Sequence, residues 1–399
     1  MPNAGSRGGP TGRRNKVIGS RERLHGMRPT KGNRGRIPIA GPSITEKEVA
    51  YIAEAARDGW HENYQEYVRR FEEEFARHAK RKYALATSSG TGALHLAYLA
   101  LGLGRGDEVI VPNITWIASV APISYLGARP IFADIEQDTW CIDPQDIEER
   151  ITRRTKAILV VDLYGHVAEM DAVLKVAGKH GLKVIEDAAQ AVGATYRGKP
   201  AASFGDVSIV SFTGTKTMVT GEGGMLLTDS KSIYERAAHY NDHCQDTKKK
   251  FWNVDVGYKY KMSNIQAACG IAQLERLSEL VDRKREIFSW YESRLGHVPT
   301  LRWNCEREGT SNSYWMVTVI VDKSHRMEKE RLMQRLDEYG IQSRPFFYPL
   351  SELPPLRRKV DTPVSFDLSP RGINLPSAHD ITEDDVDYVC NALWTILRL

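Results

Sequence analysis

The 399-residue chain has no apolar run approaching the roughly 20 residues that cross a bilayer, so it offers no candidate membrane span. It is also poor in cysteine. Cys141, Cys244, Cys269, Cys305 and Cys390 are scattered and show no C-x-x-C spacing. That argues against a zinc site or a disulfide framework, predicts no metal centre, and suits a reducing cytoplasm. Net charge is scarce as well. The formal value is +4, and the first 36 residues are strongly basic, so the remaining body is close to neutral. A near-neutral body gives no case for nucleic-acid binding. Two tempting nucleotide motifs also fail. Gly102-Leu103-Gly104-Arg105-Gly106 precedes its strand and lacks G-x-G-x-x-G spacing. Gly214-Thr215-Lys216-Thr217 lacks the glycine that a Walker loop places directly before its lysine.

Residues 1–36 are rich in Arg, Gly, Pro and Asn, and Glu22 is their only acid. Such a segment cannot bury enough surface to fold and is predicted to be a disordered basic tail. It has no amphipathic periodicity to support a transit peptide, and Met27 is an alternative initiator. The rest is long enough for two domains.

From Ile37 onward the pattern is helical, then alternating. Ser43–Glu48 reads as a capped start for a helix ending near Arg57, and a second helix is predicted over Tyr67–His78. From Tyr83 strands and helices alternate, which implies a parallel α/β sheet. Strands are expected at Asp107–Pro112, Pro130–Asp134, Lys156–Val161, Leu182–Glu186, Val207–Ser211 and Met225–Thr228. Helices are expected over Thr115–Leu126 and Met170–His180, and after Ser230 the pattern is helical through Leu280. A long helix over Arg283–Leu295 leads to a smaller α+β region, with a strand at Tyr314–Val321 and helices at Lys329–Glu338 and Asp384–Leu399. The predicted division is 37–280 for a large domain and 281–399 for a small C-terminal one.

Three segments carry chemistry. Ser211–Gly224 places Lys216 among small and hydroxylated residues after the apolar run Val207–Val210. Lysine is the side chain that forms a Schiff base with an aldehyde cofactor, and it must be neutral to do so. Burial near another cation would lower its pKa. Taken alone, a loop lysine is more often a surface residue. Upstream, Leu182–Gln190 reads as a strand ending in Asp187, at the end of an α/β sheet where ligands bind. Ala86–Leu96 opens an apolar helix with small residues whose free N–H groups can hold a phosphate. Phosphate cradle, acid and lysine, in that order, suit a pyridoxal-phosphate enzyme.

On Ser88–His95, Gly106–Pro112, Asp162–Gly165, Glu186–Gln190, Ser211–Gly224 and Met262–Ala268, the chain resembles the DegT-type (DegT/DnrJ/StrS) sugar aminotransferases. The resemblance runs from about Ile37 to the C-terminus. It implies a fold type I, aspartate-aminotransferase-like α/β fold with a mostly parallel sheet and a smaller C-terminal α+β domain. It also implies pyridoxal 5'-phosphate as cofactor and a homodimer with shared active sites. The substrates it implies are L-glutamate and a nucleotide-linked keto sugar. Arg344–Pro349 and Arg371–Ser377 resemble the GDP-perosamine synthase group, which favours GDP-4-keto-6-deoxymannose as acceptor. A dTDP- or UDP-linked keto sugar or a keto-cyclitol stays open.

The resemblance also assigns roles. Lys216 matches the Schiff-base lysine, Asp187 the partner of the pyridine nitrogen, and Gln190 the residue bonding the ring hydroxyl. Gly90, Thr91 and Ser211 are expected at the phosphate, and Trp116 over the ring. Trp116 read without the family is an ordinary core tryptophan. Lys259 stands where many relatives have an asparagine that reaches the partner subunit's phosphate. Trp60, His61, His166 and Arg344 are candidate substrate contacts. Family members that act as dehydratases have histidine in place of Lys216, so the lysine favours amino transfer over a lyase reaction. A non-catalytic regulator is disfavoured by the intact Lys216–Asp187–Gln190 set.

Overall fold

The computed structural model describes residues 35–399; residues 1–34, and with them almost all of the expected basic tail, lie outside the described residues. Arg36 is already tied down by an ion pair with Asp337.

The central sheet has seven strands: β1 (Tyr83–Thr87), β2 (Glu108–Pro112), β3 (Arg129–Ala133), β4 (Thr155–Val161), β5 (Lys183–Asp187), β6 (Val207–Ser211) and β7 (Gly224–Thr228). Their spatial order is β1-β7-β6-β5-β4-β2-β3. Only β7 runs antiparallel, against both β1 and β6. The strands are short apolar runs because helices cover both faces, and β2, β6 and β7 are buried along their whole length. Long helices frame the sheet: α1 (Glu46–Asp58), α2 (Glu66–His78), α3 (Gly90–Leu101), α4 (Met170–His180), α5 (Lys231–Asn241), α6 (Asn264–Glu275) and α7 (Leu277–Leu295).

A second sheet follows, built from β8 (Leu301–Trp303), β9 (Val317–Val321), β10 (Arg344–Pro345) and β11 (Gly372–Leu375) in the antiparallel order β8-β9-β11-β10. Helices α8 (Lys329–Glu338) and α9 (Glu383–Leu397) accompany it. The described residues form two hydrophobic clusters, one around each sheet. Helix α7 serves both: Leu277, Leu280 and Val281 join the first, and Ile287, Phe288, Tyr291 and Leu295 the second. We propose that the division of the chain near residue 280 falls inside this helix.

Three expectations need correction. The helix expected over Thr115–Leu126 is two pieces, a 3-10 turn at Ile117–Ser119 and a helix at Ala121–Tyr125. Pro122 supplies no N–H, so it suits the first turn of the second piece and not the interior of a longer one. The helical stretch expected after Ser230 stops at Asn241 and resumes at Asn264. Between them Asp246 accepts the amides of Lys248 and Lys249 at 2.8 and 2.7 Å, a local turn that competes with helix. The strand expected from Tyr314 starts only at Val317, because Tyr314 has a left-handed backbone with φ 46°.

Helix α1 is fastened to α6 through one buried carboxylate. Glu48 accepts from the Thr45 amide and hydroxyl, completing a capping box, and from Gln273 at 2.8 Å and Arg276 at 2.7 Å. Burial opposes its charge, but these hydrogen bonds prevail and hold its pKa down to about 2. Its stabilisation is therefore complete above the ordinary carboxylate range and is lost as pH falls from there toward 2. Glu48→Ala, which removes the carboxylate that Arg276 and Gln273 both donate to, is expected to cost about 2 kcal/mol in urea unfolding at neutral pH. Its deficit against wild type should shrink as the pH is lowered toward 3.

Candidate active site

Strand register assembles the site floor. Val161 lies opposite Asp187, Asp187 opposite Ile209, Ser211 opposite Gly224, and Gly224 opposite Thr87. The carboxyl ends of β5 and β6 thus present Asp187 and Ser211 at the same edge of the sheet, Ser211 two residues further on. Above Ser211 stands the start of α3. Ser89 caps it by accepting from the Gly92 amide at 3.0 Å, and Ser89, Gly90 and Thr91 at this helix start line the cavity. A Cβ on Gly90 would sit 2.9 Å from Cβ of Ser211, so only glycine lets the helix start come this close.

The resulting cavity holds about 500 Å³. Gly90, Thr91, Trp116, Asp187, Gln190, Ser211, Lys216 and Arg344 all line it, drawn together from positions more than 250 residues apart in the chain. Trp116 is 60% exposed and faces Phe347 at 6.3 Å, so it is a wall of the cavity and not a core tryptophan.

Asp187 accepts from Ser119 Oγ at 2.7 Å and from the Ala189 amide at 3.1 Å. Burial raises its pKa, while Ser119, Ala189 and Lys216 favour its charged form. The break in the helix before Ala121 is what brings Ser119 to it. Gln190 accepts the Tyr164 amide on Oε1 at 3.0 Å, which leaves its NH₂ group to donate. Lys216 is pushed down to about 8: burial lowers it most, Asp187 opposes, and Arg344 adds to the depression. Arg344 is therefore the nearby cation that the chemistry called for.

Three other candidates and Lys259 lie elsewhere. His166 does not line the cavity. The turn at Tyr164 and Gly165, both at positive φ, carries it away into a buried position near Arg307, Glu169 and Asp138. Trp60 and His61 sit on an exposed turn held by Asn264, and Lys259 is exposed beside Tyr258 and Tyr260. None of these lines this chain's cavity.

Sequence reasoning missed Ser119, Tyr164, Trp315, Phe347, Tyr348 and Asn374. Trp315 and Asn374 come from the second sheet region, where nothing in a strand-like pattern marks a residue as facing a distant lysine. Ser119 carried a weak signal, the Pro122 that ends any continuous helix there.

Gly90→Ala tests the phosphate cradle. The added methyl group is expected to weaken binding of pyridoxal phosphate at least tenfold, read by absorbance titration, with thermal unfolding of the cofactor-free protein shifted by only a few degrees.

Residues 42–394 match the DegT/DnrJ/EryC1/StrS aminotransferase family. The chain is 41% identical over 358 residues to GDP-perosamine synthase of Escherichia coli O157:H7, covering 90% of this chain and 97% of that protein. It is 40% identical to GDP-perosamine synthase of Vibrio cholerae, covering 90% and 98%. Among solved structures, DesI in the presence of its TDP-sugar product superposes with a TM-score of 0.85 at 29% identity, covering 91% of this chain and 93% of that one. The PLP-form of the putative sugar aminotransferase Spr1654 from Streptococcus pneumoniae gives 0.84 at 27% identity, covering 91% and 99%. With this fold and this cavity, the chain belongs to the DegT/DnrJ/EryC1/StrS family of aminotransferases, and its cofactor is pyridoxal phosphate.

Proposed function

We propose that this chain moves an amino group from L-glutamate to a GDP-linked 4-keto-6-deoxy sugar, with GDP-4-keto-6-deoxymannose as the favoured acceptor. The observation that carries the reading is the convergence of Lys216, Asp187 and the glycine-tight start of α3 on one cavity. The GDP choice is supported by relatives named GDP-perosamine synthase at 41% and 40% identity, against 29% for the structure with a TDP-sugar. Lysine at position 216, where the family's dehydratases have histidine, supports amino transfer over elimination.

When bound, pyridoxal phosphate supplies the electron sink for amino transfer. The start of α3 at Gly90 and Thr91, with Ser211, would hold the phosphate. Asp187 would keep a proton on the ring nitrogen, since a carboxylate beside it favours the charged ring. The free NH₂ of Gln190 would donate to the ring oxygen. Trp116 would lie over the ring face. Lys216 Nζ would carry the proton to and from the reacting carbon, and a pKa near 8 suits both steps at neutral pH.

The reading includes a homodimer. Trp60, His61 and Lys259 would then act on the partner's cavity, Lys259 as a point charge at its phosphate. Exposed aromatic surface supports this: Tyr125 is 63% and Phe251 84% exposed in the single chain. Among the described residues no helix is long and apolar enough to cross a membrane, and Cys141, Cys244, Cys269, Cys305 and Cys390 are all free. We place the enzyme in the cytoplasm on the strength of those unpaired thiols.

Two measurements test the proposal. The near-visible band of the cofactor-loaded protein should shift to that of the amine form when L-glutamate is added, and Lys216→Ala should abolish the shift. GDP-4-keto-6-deoxymannose should then restore the original band faster than its dTDP-linked counterpart. No response to glutamate would sink the donor assignment; a faster dTDP-sugar would sink the GDP one. Arg344→Ala should raise KM for a substrate about tenfold or more, and unchanged kinetics would remove Arg344 from the substrate site.

A further inference from the structure

Trp315 packs in the hydrophobic cluster around the central sheet and reaches Lys216 from the connection that leads into β9. Nζ of Lys216 lies 3.9 Å from the centroid of the Trp315 ring, in cation–π geometry. The indole N–H donates to the carbonyl of Thr215, the residue before the lysine, at 2.7 Å. One side chain therefore grips both the head of Lys216 and the backbone that carries it. Behind the indole, Tyr164 stacks at 6.1 Å with an interplanar angle of 16°, and the Tyr164 hydroxyl accepts the Phe347 amide at 3.2 Å.

The backbone on both sides of this contact is held in an uncommon conformation. Tyr314 has φ 46° and Tyr164 has φ 51°, left-handed values that bulky residues seldom adopt. Tyr314 is fixed there by the Asn312 side chain, which accepts its amide at 2.7 Å, and by a stacked contact with Phe288 at 3.8 Å. Gly165 completes the fit: a Cβ there would fall 2.6 Å from Asn312 Oδ1 and 2.7 Å from the Tyr314 amide nitrogen. Strain of this kind persists where the surroundings over-determine it, and it clusters at functional sites. Here it turns Trp315 out of the strand direction and onto Lys216.

The arm carrying Trp315 is latched to the large sheet region. Arg307 pairs with Glu136 at 3.0 Å, Asp138 at 2.6 Å and Glu169 at 3.0 Å. Arg197 donates its amide to Gly309, and Thr310–Ser311 pairs with Thr195–Tyr196.

We propose that Trp315 is a positioning residue for Lys216, holding its ε-ammonium over the indole face whenever the lysine is not bonded to the cofactor. The proposal rests on the reading of Lys216 as the reacting amine. The ring favours the charged lysine, and so offsets part of what burial and Arg344 take away. The other titratable groups lining the cavity are Asp187, Glu222, Tyr164, Tyr348 and Arg344. Asp187 favours the ammonium, whereas Arg344 opposes it.

The test uses the full chain loaded with pyridoxamine phosphate, which forms no bond to Lys216. Competitive acetylation with acetic anhydride, read by peptide mass spectrometry across pH, reports the titration midpoint of the Lys216 amine. Removing a cation-stabilising ring should lower that midpoint by about half to one pH unit in Trp315→Leu. Trp315→Phe keeps an aromatic face of weaker quadrupole and should lower it less, in the same direction. An unchanged or raised midpoint in folded Trp315→Leu overturns the proposal. If that variant does not fold, an unchanged midpoint in Trp315→Phe does so. The readout needs no turnover, so a protein that ignores glutamate yet shows the shift would defeat the functional reading and leave this one standing.

Discussion

An amine in a cavity lined by aromatic rings, balanced between the charges of a carboxylate and a guanidinium, is the constraint that the remainder of this structure serves. Burial and Arg344 draw protons off Lys216, and Asp187 returns them, with a balance near 8. That balance depends on how far burial lowers the local dielectric, because such charges lose most of their leverage in a high-dielectric medium. The walls are aromatic: Trp116, Tyr164, Trp315 and Phe347 all line the cavity. Tyr164 and Phe347 stack within 4° of parallel at 5.3 Å.

The floor is built differently from the walls. A largely buried, mostly parallel sheet fixes Asp187 and Ser211 by backbone register, and glycine at position 90 lets a helix start close over them. Such a floor is rigid because strand pairing sets it and side-chain choice does not. Two of the walls, Trp116 and Tyr164, follow central-sheet strands directly; the other two, Trp315 and Phe347, come from the region joined to the floor by the Arg307 ion cluster and by helix α7, which is part of both cores.

Legibility followed range in the chain. The apolar runs of β4, β5 and β6, the helix opening within Ala86–Leu96 and the acid at Asp187 are local patterns, and the structure reproduces them with small boundary shifts. The resemblance to a known family supplied Lys216, Gln190 and Trp116 as a set, and all three line one cavity. Where local reasoning failed, a long-range term had prevailed. The helix over Thr115–Leu126 gave way to Pro122 and to the bond between Ser119 and Asp187. The strand over Tyr314–Val321 lost its first residues to packing against Tyr164 and Gly165. His166 was displaced by that same left-handed turn.

From residue order alone came the α/β class, the motif order of helix start, acid and lysine, and the cofactor chemistry those motifs imply. These depend on hydrophobic period and on residue types at short spacing, which the chain states directly. Only the tertiary structure decided that Arg344 and Trp315 meet Lys216, and that Lys259, Trp60 and His61 stay outside this chain's cavity. Those relations join segments about 100 or more residues apart, and their partners are chosen by sheet register and packing, for which no local pattern carries a signal.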